Sequence, residues 1–456
     1  MTSSCSLRTL GLGTLIALTL AACGGGNDDP APAPAPAANP LERDAGFGTA
    51  GEVQFSRGAL GGNVDATAAQ PDGKLLVAGY RTVDTSTDLT KAKTQLFVRR
   101  LLENGQPDPA FGIGGEMTFS VLGNDRANEL LIQPDSKIVV SWLSREPCED
   151  RFLPVGFCAN AAGEEAITRL GLLRLNADGS LDQSFGTSGF VNEPGWGRRG
   201  TSATRTVLQP DGKLLRLRTT SDYVSRIFGW SVTRYLANGS IDPAFNGGQP
   251  TGSECAADGD AIALKPDGSI LIVGTEDGRF CLEQRTPDGR VDVGSPVRIQ
   301  APEAATASAL RALPDGDIQL SGAASSDAGV RLMGLRLSPV GTPRKTYGTD
   351  GFVYVPPAGS AGRRIYRTII GETGTVLAAS TLPTAQTPPD YQRQWLKLDA
   401  SGRPAPGFGS NGVLTADTLP SNSYMINWVV DRLGRWITVD GNSSDVTITR
   451  LQGEKS

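Results

Sequence analysis

The ten residues QPDGKLLVAG at 70–79 come back six more times in weakened form, and this repetition restricts the fold more than any other feature of the chain. The copies are IQPDSKIVVSW (132–142), LQPDGKLLRLR (208–218), LKPDGSILIVG (264–274), LPDGDIQLSG (313–322), IGETGTVLAAS (370–380) and VDRLGRWITVDG (430–441). Proline presets φ for the first corner of a type I turn and aspartate suits the second. Glycine then takes the left-handed position that lets two antiparallel strands continue. A short run rich in Leu, Ile and Val follows each turn, so each copy reads as a β-hairpin and the chain holds seven of them.

A second motif interleaves with the hairpins: GFGTAGEV (46–53), AFGIGGEM (110–117), SFGTSGFV (184–191), AFNGGQPT (244–251), DVGSPVRI (292–299), TYGTDGFV (346–353) and GFGSNGVL (407–414). From Phe47 to Phe408 it recurs about every sixty residues. Ahead of six of these copies lies a strand ending in a glycine turn, as in LLRLNADGSLD (172–182) and VTRYLANGSID (232–242). One repeat therefore holds four strands. The first enters the PDG turn, the second leaves it, the third ends in the glycine turn, and the fourth carries the Phe-Gly motif. The 57 glycines, against about 32 at an average usage of roughly 7%, are what so many turns consume.

The hairpins together with endings such as RLNADGSLDQSFG (174–186) resemble the delta-60 repeat family of bacterial β-propeller proteins, over residues 41–456. The match is specific in the first and third repeats and fades in the last three, where GETG and DRLG replace PDGK. The resemblance implies an all-β, seven-bladed β-propeller of four-stranded antiparallel blades, and it implies no particular activity. The termini fit a ring. LERDAGFGTAGEVQF (41–55) is a fourth strand without the other three, and the chain ends on three strands without a fourth. The N-terminal strand is thus expected to join the last blade and close the ring, which removes an open sheet edge.

Residues 1–22 have the layout of a targeting segment: Arg8, then an apolar LGLGTLIALTLAA (10–22) too short for an ordinary membrane span. Leu20-Ala21-Ala22-Cys23 resembles the lipobox of bacterial lipoproteins. The resemblance implies cleavage before Cys23 and acylation of its sulfur and new amino group, an anchor worth about 0.8 kcal/mol per buried methylene. Gly24 after the cysteine points, by the same resemblance, to the outer membrane. GGGNDDPAPAPAPAANP (24–40) then reads as a tether, flexible in its glycines and extended in its Pro-Ala alternation. The expected organisation is a signal peptide at 1–22, a lipidated cysteine and tether at 23–40, and the propeller at 41–456.

The net charge is −5, with Lys and Arg scattered through the strands, which disfavours nucleic acid as a partner. There is no histidine, so a Ser-His-Asp triad, a His general base and a His-ligated zinc are excluded. Asn176, Asp178 and Asp182 faintly resemble a calcium loop, but calcium wants six to eight oxygens and turn chemistry already explains these residues. No metal or cofactor is expected. The recurring Phe47, Phe111, Phe185, Phe245, Tyr347 and Phe408 read as anchors between blades rather than a stacking ladder for sugars.

Because strands alternate, the short PDG and glycine turns emerge on one face, and the longer second-to-third-strand loops and inter-blade connections on the other. The second set varies widely, as in RTVDTSTDLTKAKTQ (81–95), LSREPCEDRFLPVGFCANAAGEEA (143–166), NEPGWGRRGTSAT (192–204) and TLPTAQTPPDYQR (381–393), and is the expected binding face. Four cysteines remain beyond the signal and Cys23, and an exported protein keeps disulfides. Cys148 with Cys158 and Cys255 with Cys281 are the expected pairs. Trp196, Arg198 and Arg199, with Trp142 and Tyr391 as weaker candidates, are the expected binding-face residues, since Trp and Arg dominate interface hot spots. Glu149-Asp150 and Glu164-Glu165 read as solvated loop charges, and no catalytic motif is present. The expected function is a membrane-anchored binding platform for an unknown protein or glycan. The alternatives are a propeller lyase or hydrolase acting on glycans, and a structural subunit of a cell-envelope assembly.

Overall fold

Every PDG-type turn closes on the same backbone hydrogen bonds: Gly73 N donates to Gln70 O at 3.0 Å and Gln70 N to Lys74 O at 2.8 Å, and the pattern recurs through to Asp431 and Arg435. Gly73 sits at φ 84°, the left-handed position the turn demands. Ser136 holds that position in the second copy at φ 65°. The structure is a computed structural model describing residues 39–454 apart from 57–61, 89, 148–161, 163–167, 194–200, 223–226, 256, 257, 277, 328 and 443.

The described residues are all-β, with a single 3-10 turn at Asn246–Gly248. After β1 (Glu52–Ser56) come β2 (Gly62–Ala69), β3 (Leu75–Thr82), β4 (Thr94–Leu101) and β5 (Glu116–Phe119) in the first sheet. The second holds β6 (Asn124–Ile132), β7 (Ile138–Arg145), β8 (Thr168–Leu175) and β9 (Phe190–Asn192). The third holds β10 (Thr201–Leu208), β11 (Leu214–Asp222), β12 (Ile227–Tyr235) and β13 (Thr251–Gly252). The fourth holds β14 (Asp258–Leu264), β15 (Ile270–Glu276), β16 (Arg279–Arg285) and β17 (Val297–Gln300). The fifth holds β18 (Ala304–Ala312), β19 (Ile318–Ser326), β20 (Gly329–Leu337) and β21 (Phe352–Ser360). The sixth holds β22 (Arg364–Ile370), β23 (Val376–Pro383), β24 (Tyr391–Leu398) and β25 (Val413–Leu419). The last holds β26 (Tyr424–Val430), β27 (Trp436–Gly441) and β28 (Asp445–Leu451), and β1 pairs with β28 as its fourth strand.

Pairing within each sheet is antiparallel, and the first two sheets are joined by a lone parallel bridge between Thr94 and Asn124. The first strands lie side by side: β2 packs against β6, β6 against β10, and so on through β14, β18 and β22 to β26, which packs against β2. Second strands are buried on both faces, as in Leu75 to Gly79, because each sheet is covered by a neighbour on either side. Leu75 and Val77 join Ile437 and Val439 of the last sheet in one core cluster, while Leu76 and Ala78 join Ile138 and Val140 of the second in another. Each such buried Leu, Ile or Val side chain contributes about 1.5–3 kcal/mol.

Neighbouring sheets are also clasped at their turn ends by a repeated charged device. In the first sheet Arg100 Nε donates to Asp108 at 2.8 Å, Lys74 pairs with the same carboxylate at 3.2 Å, and the guanidinium lies 4.6 Å over the Phe111 ring. Arg100 then reaches Ala177 O of the second sheet, and Gly112 N donates to Asp178 O at 2.9 Å. The set recurs as Arg174, Asp182, Lys137 and Phe185, and as Arg234, Asp242, Lys213 and Phe245. Arg450, Asp44, Arg435 and Phe47 link the last sheet to Glu103 O of the first. Burial works to raise the Asp182 carboxyl, but hydrogen bonds from Ser184, Lys137 and Arg174 prevail and hold it well below the usual range. Asp182 is therefore an ion-pair partner within the fold.

The fifth sheet carries the same clasp with its charges exchanged. Asp317 stands where Lys74 does and Arg344 where Asp108 does; Arg344 Nη2 meets Asp317 at 2.6 Å and Arg336 Nε at 3.0 Å. The Phe-Gly motif differs from the sequence expectation, since it forms the turn before the fourth strand rather than the strand itself. Gly48 is left-handed at φ 56°, and a Cβ there would stand 1.9 Å from Glu52 O. The aromatic rings are buried under the next sheet's glycine turn: a Cβ on Gly179 would meet Phe111 at 2.9 Å.

Candidate functional site

Six of the first strands carry a register break at an equivalent point, where one or two extra residues interrupt the pairing: Asp65 in β2, Asn128 in β6, Asp260 in β14, Ser308 in β18, Tyr366 and Arg367 in β22, and Ile426 in β26; β10 is broken slightly earlier, between Thr201 and Thr204. Bulges re-aim side chains and cluster near functional sites. Four residues before the residue that opens each turn, the strands carry Ala66, Glu129, Arg205, Ala261, Ala309, Arg367 and Asn427. Small residues and long charged ones thus share one level of the inner wall.

The charged members meet. Arg367 in the sixth sheet lies within electrostatic reach of Glu129 in the second and Arg205 in the third, so the three face a common space enclosed by the first strands. Arg205 and Arg367 are both accessible to solvent. Protein nonetheless surrounds Arg367. This burial, the largest influence, draws its guanidinium below the ordinary value; Glu129 opposes the shift and the like charge of Arg205 adds to it. Glu129 accepts a hydrogen bond from Thr206 N at 3.2 Å and sits 3.6 Å from Arg216. Nearer the strand starts, Arg126 forks onto Asp65 at 2.8 and 3.2 Å and lies 5.3 Å from the centre of the Tyr80 ring. Tyr424, 42% exposed, stands three residues before Asn427 on β26.

Such a wall can hold an anion. Arginine forks match carboxylates and sulfates bidentately, and an enclosed space strengthens that attraction relative to open water. Proton transfer is less well served, because Glu129 and Asp65 are already engaged by cationic partners. Among the described residues no group of three or more acidic or cysteine side chains is placed to hold a metal ion.

Of the residues singled out in the sequence, Cys255 and Cys281 form a buried disulfide with Cα atoms 6.2 Å apart, tying the approach to β14 onto β16. A cross-link of this kind contributes typically about 2–4 kcal/mol. Trp142 is corrected: as the fifth residue of a second strand it faces the first sheet, is wholly buried, and belongs to the core with Leu96 and Val140. Tyr391 is half-buried at the start of β24, opposite Pro383 and Leu419. Cys23, Cys148, Cys158, Trp196, Arg198 and Arg199 lie outside the described residues, as do the acidic pairs at 149–150 and 164–165. Sequence reasoning missed Glu129, Arg205, Arg367 and Asn427. Their signal was present: counted back from the turns, they interrupt a position that is alanine in three other repeats.

All-β sheets of four antiparallel strands, laid first strand to first strand, define a β-propeller. A family model described as a domain of unknown function (DUF5122) beta-propeller matches residues 70–111, 161–185 and 209–245. No curated protein matches the chain. Solved structures similar to it include a protein from Lactobacillus plantarum, 11% identical over 80% of this chain and 88% of that one, with a TM-score of 0.44. The polysaccharide lyase Uly1 is 11% identical over 85% of this chain and 89% of its own, with a TM-score of 0.39. A protein of unknown function from Bacteroides caccae is 12% identical over 65% and 88%, with a TM-score of 0.35.

Proposed function

We propose that the chain is an envelope lipoprotein, anchored through Cys23 in the outer membrane, whose seven-bladed ring binds an acidic glycan between its first strands. The ring reading is supported by the pairing of β1 with β28, by the packing of β26 on β2, and by a clasp from Arg450 of the last sheet to the first like those between other neighbours. The observation that carries the binding reading is the pair Arg205 and Arg367, two solvent-accessible arginines that face one space, with Glu129 within electrostatic reach of Arg367. Like charges so placed oppose folding, and an anionic ligand would relieve them. Asn427, at the equivalent level of its own first strand, and the exposed Tyr424 on the same strand are of the types that offer sugars hydrogen bonds and ring contact. The loops proposed as a binding platform open at the end where these strands begin.

The test is a titration of the full-length protein in detergent with a fluorescent tetragalacturonate, at low and high salt. Saturable binding that weakens at least about tenfold in Arg367→Ala and falls with salt is expected, since paired charges are screened. Absence of saturable binding at low salt would sink the glycan reading and favour a structural subunit. In parallel, Cys23→Ser is expected to move the protein from the membrane to the soluble fraction; retention in the membrane would refute the anchor.

A further inference from the structure

The junctions between sheets are filled by a matched pair of positions. One is the residue four before the clasp arginine on a third strand; the other is the fifth residue of the second strand in the next sheet. By equivalent position Leu96 answers Trp142, Leu170 answers Arg218, Trp230 answers Gly274, Phe280 answers Gly322, Leu332 answers Ser380, and Arg393 answers Asp440, where the charges meet at 2.6 Å. At each of these six junctions at least one member is a leucine or a larger side chain. The junction of the last and first sheets breaks this rule, because Val446 meets Gly79 and both are small.

A cavity of about 570 Å³ stands there, with Val446 in its lining. Gly79 cannot fill it, since a Cβ on Gly79 would lie 2.0 Å from Asn63 O. The walls carry Phe55, Tyr80 and Phe97, and the rim carries Arg81 and Glu116. Glu116 is shared by two guanidiniums, Arg81 at 3.1 Å and Arg99 at 2.7 Å, which leaves one net positive charge at the mouth. Volume, aromatic walls and a few convergent polar groups are the marks of a small-molecule site, for which about 300–1,000 Å³ is usual.

We infer that this junction pocket binds a small planar aromatic acid, its ring taking the space that the Trp142 indole fills at the next junction and its carboxylate meeting Arg81. The pocket is separate from the anion site on the inner wall and does not depend on it. The probe is naphthalene-2-carboxylate, titrated calorimetrically into the full-length protein, with the neutral naphthalene-2-carboxamide as comparison. Val446→Trp places in the pocket a side chain that the same strand position already carries as Trp230, and Val446→Phe repeats the step with the residue found at Phe280. Saturable binding by the native chain is expected. Either filling variant should weaken it by at least about tenfold while raising the melting temperature, because it fills a void. Arg81→Gln should weaken the acid several-fold and leave the amide unchanged. No saturable binding up to the solubility of the probe, or equal binding by a filling variant that melts as a folded protein, would overturn the inference. Equal loss of acid and amide in Arg81→Gln would overturn the carboxylate contact.

Discussion

In the fifth sheet Asp317 and Arg344 exchange the charges that Lys74 and Asp108 carry in the first, and the clasp arginine keeps a carboxylate in both. On the inner wall Arg205 and Arg367 stand where three other repeats have alanine, and the charge of Arg205 disfavours that of Arg367. Positions that hold neighbouring sheets together thus vary in compensating sets. Positions on the wall vary by adding charges that cost stability, which is what a binding site imposes on a scaffold.

The largest expected effect comes from breaking a compensated set. Asp317→Lys places three cations together at a buried position and should destabilise the protein by about 3–5 kcal/mol in urea unfolding. Adding Arg344→Asp restores the first sheet's arrangement and should recover most of that loss; failure to recover would mean that the exchange is coincidental. Next is Asp440, a compensated position with a remainder, since its Oδ1 lacks a partner. Burial pushes its carboxyl up to about 6, with Arg393 opposing and Asp417 adding. In the unfolded chain it titrates near 3.8, so the folded form holds the proton more tightly between these values. That stabilisation is complete below pH 4 and lost as pH rises through about 6, at about 1.4 kcal/mol per unit. Melting temperatures from pH 4 to 7 should show this fall, and Asp440→Asn should flatten it. The smallest effect is at Ser136, whose φ of 65° suits glycine: Ser136→Gly should stabilise by about 1 kcal/mol, read as a raised urea midpoint.

Much of the scaffold was legible in the sequence because turn chemistry is local. Pro71, Asp72 and Gly73 specify a hairpin by themselves, and the apolar runs after each turn mark strands buried on both faces. The Cys255–Cys281 bond was legible from the placement of both residues at one end of their sheet. The clasp was not, because Arg100, Asp108 and Ala177 come together only when two sheets stack. Trp142 was misplaced for a related reason: a tryptophan near a long loop looks exposed until the neighbouring sheet covers it. The wall residues were hidden by attention to loops, although their register against the turns set them apart. The junction pocket depended on Val446 and Gly79, which are ordinary in their own strands and unusual only as a pair.

The measurement that bears most directly on the division between scaffold and wall is a paired one, of melting temperature and tetragalacturonate affinity, on Arg367→Ala and Arg174→Ala. Arg367→Ala is predicted to leave the melting temperature unchanged or raised and to lose the ligand, while Arg174→Ala, which empties a clasp, is predicted to lower the melting temperature and keep the affinity of its folded fraction. The contrary pattern, with Arg367→Ala unfolding and Arg174→Ala losing affinity while folded, would contradict the assignment of binding to the inner wall.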